Sequence, residues 1–163
     1  MDRIRLTPYN ASWFPLLQSW VPDKDVLLQY SGTHFSFPLT QHQMDGYARE
    51  FPDRKMYISL VNTITPFAFG EIIPQDTTSV RLARLLIGNP DMRGRGLGVA
   101  FVNALVAEAR KTFGVDVVEL FVFSINEQAI RCYQKAGFRF VVGEDKPLTV
   151  DGVVYTVRKM RLG

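Results

Sequence analysis

Hydrophobic and polar residues alternate along four segments in the first half of the chain. These segments span residues 4–6, 56–62, 67–73 and 80–87. Alternation with a period of two predicts β-strands. The last three segments follow one another at hairpin spacing, which favours antiparallel pairing between them.

The second half of the chain changes to a different pattern. Residues 97–112 place apolar side chains at four-residue steps and predict a long helix. Residues 117–123 form a near-continuous apolar strand that we expect to be buried on both faces. A second helix is predicted over 126–136, and a terminal hairpin over 138–142 and 153–160. The order of elements predicts one α+β domain over residues 1–163, a mixed sheet with helices packed on it.

The N-terminal segment is less regular. A helical stretch is predicted over 11–20, and Thr40 is placed to cap a helix that runs through Glu50. Several aromatic side chains lie between these points. They could line a pocket for an amine or form a core for two short helices, and we favour the core. The aromatic residues are Trp20, Tyr30, Phe35, Phe37 and Tyr47.

Composition narrows the class of protein. Hydrophobic residues make up 47% of the chain and charged residues 21%, which is typical of a globular fold. The net charge of +3 comes without a basic run, so we do not expect a nucleic-acid partner. One cysteine, Cys132, and two histidines exclude an internal disulfide and a structural zinc site of the usual kind. With no signal-peptide or membrane-spanning pattern, we expect a cytoplasmic protein.

The segment LLIGNPDMRGRGLG at residues 85–98 carries the clearest chemistry. A strand ends, a turn follows, and alternating glycines lead directly into a helix. Glycines let the backbone approach a ligand closely, and the first turn of a helix offers unpaired N–H donors to an anion such as a pyrophosphate. The competing interpretation is a glycine-rich turn with two solvated arginines. The dinucleotide-binding and P-loop patterns both fail here, because position 99 is Val and no Gly-Lys-Ser/Thr ending is present.

A second group of residues follows about thirty positions later. Asn126 ends the apolar strand, and Tyr133 lies two helical turns further on the same helix face. Taken singly, Asn126 is interpreted as a helix cap, in competition with a Ser124–Glu127 capping box, and Tyr133 as a core tyrosine. Cys132 is interpreted as a small buried apolar residue rather than a nucleophile.

Together the two groups resemble the GNAT superfamily of N-acetyltransferases over residues 56–143. The loop pattern Arg/Gln-x-x-Gly-x-Gly/Ala of that family is matched by Arg93, Gly96 and Gly98. A second pattern is matched by Asn126, Ala129, Tyr133, Gly137 and Phe138. The opening IRLTPY and the Ile-Gly-x-Pro at 87–90 are most similar to the ribosomal-protein and spermidine acetyltransferase branch. The resemblance implies a mostly antiparallel seven-stranded sheet with a splayed parallel pair and about four helices.

The resemblance also implies a cosubstrate, acetyl-CoA, and no metal. Its pantetheine arm would pair with the strand end at Leu86, Ile87 and Gly88. Its pyrophosphate would rest on the loop amides, which belong to Arg93, Gly94, Arg95, Gly96, Leu97 and Gly98. Asn126 would lie beside the pantetheine arm and Tyr133 near the thioester sulfur.

The implied activity is direct transfer of an acetyl group to a primary amine. Tyr133 is suited to protonate the departing thiolate. Glu71 is the preferred base, and Glu119, His34 and His42 are alternatives. The acceptor is open among protein N-termini, polyamines, aminoglycosides and small amines, and the protein is expected to be a monomer or a homodimer. Two other hypotheses for the function remain: a non-catalytic acyl-CoA-binding regulator on the same scaffold, and a small RNA-binding domain.

Overall fold

A computed structural model describes residues 3–163 of the chain. These residues form eight strands and five α-helices, one strand and one helix more than expected. The strands are β1 (Ile4–Pro8), β2 (Lys55–Val61), β3 (Thr65–Pro74), β4 (Ser79–Ile87), β5 (Val117–Phe123), β6 (Arg139–Phe140), β7 (Lys146–Val150) and β8 (Val153–Leu162). The helices are α1 (Phe14–Ser19), α2 (Lys24–Ser31), α3 (Gln41–Glu50), α4 (Leu97–Phe113) and α5 (Glu127–Lys135).

All eight strands belong to one mixed sheet. The strand order is β1-β2-β3-β4-β5-β8-β6, and β7 forms an additional pair with β8. Every pair is antiparallel except β4–β5, which is parallel. The fold class expected from the sequence is therefore confirmed, including the parallel pair at the centre of the sheet.

Helices cover the sheet on both faces. Leu97, Phe101 and Leu105 of α4 are at most 3% exposed and pack with the side chains that point to one face of the sheet. Helices α1 to α3 pack on the other face, where Ile58, Leu60 and Phe69 form a second core with them. Burying each such large apolar side chain contributes about 1.5–3 kcal/mol.

The N-terminal segment confirms the capped helix and adds one that was not expected. Thr40 accepts a hydrogen bond from the amide of Gln43 and starts α3. Asp23 likewise caps α2 through the amide of Val26, but α2 was missed because its eight residues carry little apolar periodicity. The favoured interpretation of the aromatic set holds for four members: Trp20, Tyr30, Phe35 and Tyr47 are buried, whereas Phe37 is 38% exposed.

The C-terminal hairpin differs from the one predicted. It is formed by β7 and β8, joined by Asp151 and Gly152, which both have positive φ. Two such residues make the tight turn that suits the twist of paired strands. The segment expected as the first hairpin strand contributes only the two-residue β6, which pairs with the far end of β8. Strand β7 was missed because a proline and polar residues interrupt its pattern.

Glu119 ties β5 to its neighbours on the face opposite α4. One carboxylate oxygen accepts a hydrogen bond from Gln75 at 2.8 Å, and the other accepts two from Arg161 at 2.7 and 2.9 Å. Lys159 lies 3.2 Å from the same carboxylate. Burial acts to raise the pKa of Glu119, but the hydrogen bonds from Gln75, Arg161 and Lys159 outweigh it and hold the pKa below the ordinary value of 4.5. Within residues 3–163, no helix is long and apolar enough to cross a bilayer.

We expect Glu119→Gln to lower the melting temperature at pH 7. A carboxyl group with a lowered pKa stabilises the fold above its ordinary pKa, and this contribution is lost as the pH falls through the folded-state pKa. The difference between wild type and variant should therefore shrink as the pH is lowered below about 4. Thermal unfolding of both proteins at a series of pH values measures the difference in melting temperature. Glu127→Gln, at an exposed 3.9 Å pair with Arg131, is the control and should change little. A pH-independent loss in the Glu119 variant would contradict the assignment.

Candidate active site

Strands β4 and β5 run side by side for only four positions. Their last pair is Leu82–Leu120. Beyond it, β4 continues beside β3 and β5 continues beside β8. A wedge therefore opens between the two central strands toward their C-terminal ends.

A β-bulge lies where the strands separate. Glu71 pairs with Ala83, but Phe69 pairs with Leu86, so Gly70 on β3 faces two residues of β4, Arg84 and Leu85. An extra residue bends and twists the bulged strand. Arg84 has φ 52°, a left-handed conformation that costs a non-glycine residue about 1 kcal/mol. The bulge turns β4 away from β5 at this point.

The backbone of Ile87 points into the wedge. The amide of Gly88 donates to the Phe67 carbonyl at 2.9 Å, which directs that residue toward β3. In an antiparallel ladder the next residue directs its N–H and C=O the opposite way. Ile87 therefore directs its N–H and C=O away from β3 and into the wedge, whereas Leu86 and Gly88 direct theirs to β3.

The glycine-rich loop leads into the first turn of α4. Gly94 and Gly96 have φ 74° and 73°, conformations that glycine adopts without strain. Gly96 occupies the N-cap position, and no side chain caps the helix there. The first amides of a 17-residue helix are thus left for an anion. Arg93 donates from its guanidinium to the Ile87 carbonyl at 3.0 and 3.3 Å and holds the loop against the end of β4.

Gly98 brings the loop and the second motif together. A Cβ at this position would lie 3.1 Å from the sulfur of Cys132 and 3.2 Å from Cδ1 of Ile87. The first turn of α4, the end of β4 and helix α5 therefore meet at one point. Cys132 is partly buried here, and burial raises the pKa of its thiol, as expected for a packing residue rather than a nucleophile.

Asn126 and Tyr133 lie at the start and toward the end of α5. The Asn126 side chain accepts a hydrogen bond from the amide of Ala129 at 3.2 Å, so it, and not Ser124, caps the helix. Tyr133 is 9% exposed and packs edge-to-face on Phe138. Burial, and then the neighbouring Cys132, raises the pKa of the Tyr133 hydroxyl well above 10, so it remains protonated at neutral pH.

Glu71 is fully buried beside the bulge, on the face that α1 to α3 cover. Its Oε1 accepts a hydrogen bond from the Tyr47 hydroxyl and one from Arg84, each at 2.7 Å. Arg54 donates to the same hydroxyl at 2.6 Å. Oε2 of Glu71 is buried and has no hydrogen-bond partner among residues 3–163. Burial raises the pKa of Glu71, and the nearby Arg84 and Tyr47 only partly oppose this.

The other proposed bases lie in different surroundings. Glu119 is already engaged by three side chains between β5 and β8. His34 is exposed and its ring lies 4.9 Å from that of Tyr47; burial and Arg84 lower its pKa. His42 is exposed on α3. Among the four candidates, Glu71 alone lies at the bulge with a free oxygen atom.

Comparison with known families gives a match to the acetyltransferase (GNAT) family over residues 24–138, most of the chain. The chain belongs to the GNAT family. This confirms the resemblance carried by the two motifs, which fall within the matched region. No cluster of three or more histidine, cysteine, aspartate or glutamate side chains suited to a metal ion occurs in the described residues.

Curated GNAT relatives match only part of this chain. A mycothiol acetyltransferase of Propionibacterium freudenreichii is 29% identical over 79 residues, which is 48% of this chain and 25% of that protein. An uncharacterised N-acetyltransferase of Methanocaldococcus jannaschii is 44% identical over 50 residues, 31% of this chain and 22% of that protein. The matched segment thus covers about a quarter of each relative.

Solved GNAT structures match along almost the whole chain. The spermidine N-acetyltransferase of Vibrio cholerae, in complex with CoA and spermine, has a TM-score of 0.80 at 12% identity and covers 98% of this chain and 94% of its own. The aminoglycoside acetyltransferase AAC(6')-Ib with coenzyme A has a TM-score of 0.75 at 20% identity, with the same coverage. At these identities the likeness establishes the fold.

The sequence motifs did not reveal the polar cluster around the bulge. Tyr47, Arg54 and Arg84 form one network with Glu71, although they come from a helix, a loop and a strand. Strict alternation would place Arg81 and Arg84 on opposite faces of β4. Because of the bulge, Arg84 instead lies on the same face of the sheet as Arg81 and Glu71. The one available signal was the presence of two arginines, Arg81 and Arg84, in a largely apolar strand.

We expect Gly96→Asp to weaken CoA binding steeply, because the carboxylate would stand where the pyrophosphate meets the helix amides. A Cβ at Gly96 meets nothing within 4 Å, so the variant should fold. Gly143→Asp is the matched control, because Gly143 also has positive φ and open space but lies in the turn after β6. Calorimetry with CoA measures both affinities. Equal CoA affinity in the two folded variants would refute the loop as the pyrophosphate site.

Proposed function

We propose that this protein is an acetyl-CoA-dependent N-acetyltransferase that transfers the acetyl group directly to a primary amine. The contact of Gly98 with Ile87 and Cys132 carries the proposal, because it joins an anion-binding loop, an outward-facing strand end and the helix of Tyr133 in one site. Membership of the GNAT family and the CoA held by solved members support it.

The residues present fit CoA along the length of the molecule. The amides at the start of α4 suit its pyrophosphate, and Arg93 and Arg95 border the same loop. The N–H of Ile87 suits a carbonyl of the pantetheine arm, which would add to the strand edge, whereas the Ile87 C=O already accepts hydrogen bonds from Arg93. Asn126 borders the wedge at the start of α5. Bound acetyl-CoA would supply the acetyl group as a reactive thioester.

The protein's contribution to the chemistry begins at the wedge. Backbone N–H groups of the separated strand polarise the thioester carbonyl and stabilise the charge that develops on its oxygen. The amine nitrogen forms a bond to the carbonyl carbon, and the carbon–sulfur bond then breaks. Tyr133 donates a hydrogen bond to the departing sulfur and transfers its proton to that sulfur as the carbon–sulfur bond breaks. The hydroxyl is protonated at neutral pH and so carries the proton that this step needs.

Glu71 is the base in this proposal. Its free Oε2 accepts the proton of the attacking amine through a water molecule. A buried carboxylate with a raised pKa is a better proton acceptor than an exposed one, since a base works best when its pKa approaches the working pH. Tyr47 and Arg84 fix the orientation of the carboxylate through Oε1.

The direct test is release of free CoA thiol from acetyl-CoA, scanned across polyamines, aminoglycosides, peptides with free N-termini and small amines. We expect acceptor-dependent thiol release with at least one class. CoA binding with no thiol release above the acceptor-free rate in any class would favour a non-catalytic acyl-CoA-binding regulator instead.

Tyr133→Phe should lower kcat and kcat/KM by a similar factor of about 10², because the hydroxyl acts mainly in the transition state. The ring is retained, so we expect CoA affinity and melting temperature to change little. Steady-state kinetics at saturating acetyl-CoA measures the effect. Tyr57→Phe is the matched control, since Tyr57 is also 9% exposed but lies on β2. A full wild-type kcat in the Tyr133 variant would remove this residue from the mechanism.

Glu71→Gln should lower kcat by about 10² and change its pH dependence. Below its pKa, Glu71 is protonated and accepts no proton, so wild-type kcat should fall as the pH decreases through a value above 4.5. The glutamine variant should lack this acid limb. Profiles of kcat at saturating acceptor measure the difference. If Glu71 has only a structural role, the glutamine variant should have a lower melting temperature and the same pH profile of kcat as the wild type.

A further inference from the structure

The amine must reach the wedge from the face that α4 does not cover. The loop before α4, the start of that helix and α5 flank one face, where Gly98 contacts Ile87 and Cys132. If CoA enters there, as the proposed function requires, its pantetheine arm closes that side. The acceptor nitrogen then approaches the thioester from the opposite face.

Phe121 marks the apex of the wedge on this opposite face. Val118, Leu120 and Val122 of β5 belong to the core beneath α4. Because side chains alternate along a strand, Phe121 points the other way. It is the first residue of β5 beyond the last pair with β4, and it is only partly buried.

Two cations flank the Phe121 ring without a carboxylate partner. The Arg81 guanidinium lies 5.6 Å from the ring centroid, and the Lys146 ammonium lies 5.1 Å from it. Neither forms an ion pair within residues 3–163. By contrast, Arg84 is paired with Glu71, and both Arg161 and Lys159 with Glu119.

Positive charge exceeds negative charge among the strand residues around Phe121 that point to this face. Strands β4, β7 and β8 contribute five cations: Arg81, Arg84, Lys146, Lys159 and Arg161. Two carboxylates point to the same face, Glu119 from β5 and Glu71 from β3. Burial, and then repulsion from Arg54 and Arg84, lowers the pKa of Arg81. Nε of Arg84 is buried and has no hydrogen-bond partner in the described part of the chain. Of the five cations, Arg81 and Lys146 therefore have no anionic partner within residues 3–163.

We propose that the acceptor is a small amine carrying an anionic group such as a carboxylate, which Arg81 and Lys146 bind beside Phe121. The ring would contact the apolar carbons between the amine and the anion. A polycation would meet repulsion here, because no acidic cluster balances the arginines and lysines. Charge-assisted hydrogen bonds to a carboxylate would offset the repulsion among the cations.

The test compares acceptors that differ only in the anionic group. Leucine is paired with leucinamide and with 3-methylbutylamine, and γ-aminobutyrate with its amide; spermidine represents the polycations. We expect kcat/KM for an acid to exceed that of its uncharged partners by about tenfold or more, in line with a charged hydrogen bond. The amine pKa of leucine lies above that of leucinamide and below that of 3-methylbutylamine, so an advantage of leucine over both partners cannot come from amine basicity.

Two variants locate the anion site. Arg81→Gln should raise KM for the acids about tenfold and leave KM for 3-methylbutylamine nearly unchanged. Lys146 is exposed, so Lys146→Glu should fold, and it should shift the preference from acids toward spermidine. Arg110→Gln, exposed on α4 away from this face, is the control and should behave as wild type.

Each outcome has a distinct meaning. Equal or faster acetylation of the uncharged amines or spermidine overturns the anion site and leaves the acetyltransferase activity intact. CoA binding without acetylation of any acid also overturns it. Failure to bind CoA would instead overturn the proposed function from which this inference starts.

Discussion

The separation of β4 from β5 after Leu82 is the constraint on which the site depends. A parallel pair normally continues its hydrogen bonds along both strands, and here it stops after four positions. The cause is local: one extra residue opposite Gly70 bends β4 away. Unpaired backbone in the interior is costly unless a partner is supplied. The wedge therefore suits an extended ligand with amide groups of its own.

The bulge is held in place by an ion pair. Arg84 adopts a left-handed conformation that an arginine does not favour, and its guanidinium donates to the buried Glu71 at 2.7 Å. Tyr47 donates to the same oxygen and thereby links helix α3 to the bulge. Removing one member of a buried charged pair leaves the other uncompensated, so the network resists relaxation of the strand. The same carboxylate thus connects the geometry of the wedge to the chemistry proposed for it.

The two faces of the wedge have opposite characters. On the α4 face, small residues allow close packing: Gly98 admits the side chains of Ile87 and Cys132. Helix amides make that face suitable for phosphate. On the other face, aromatic rings and guanidinium groups alternate, from Arg54 over Phe51 to Arg81 beside Phe121. In the proposed function, this split separates recognition of the acetyl donor from recognition of the acceptor.

The sequence alone determined the family and most of the fold. The two motifs occur at fixed spacing within continuous elements, so their residues share a loop or a helix face whatever the rest of the chain does. Strands β2 to β5 and helices α4 and α5 were predicted within a few residues, because their periodicity is long and regular. Asn126 as a cap also follows from local chemistry alone.

Only the tertiary structure decided what surrounds the wedge. Helix α2 and strand β7 are short and weakly patterned, and packing against the sheet rather than periodicity stabilises them. The Glu71–Arg84 pair depends on a bulge that changes which face a residue occupies, and alternation cannot anticipate that shift. Arg81 and Lys146 lie 65 positions apart in the chain. They meet at Phe121 because β7 pairs with β8 and β8 with β5, and such long-range pairing leaves no periodic trace in the sequence.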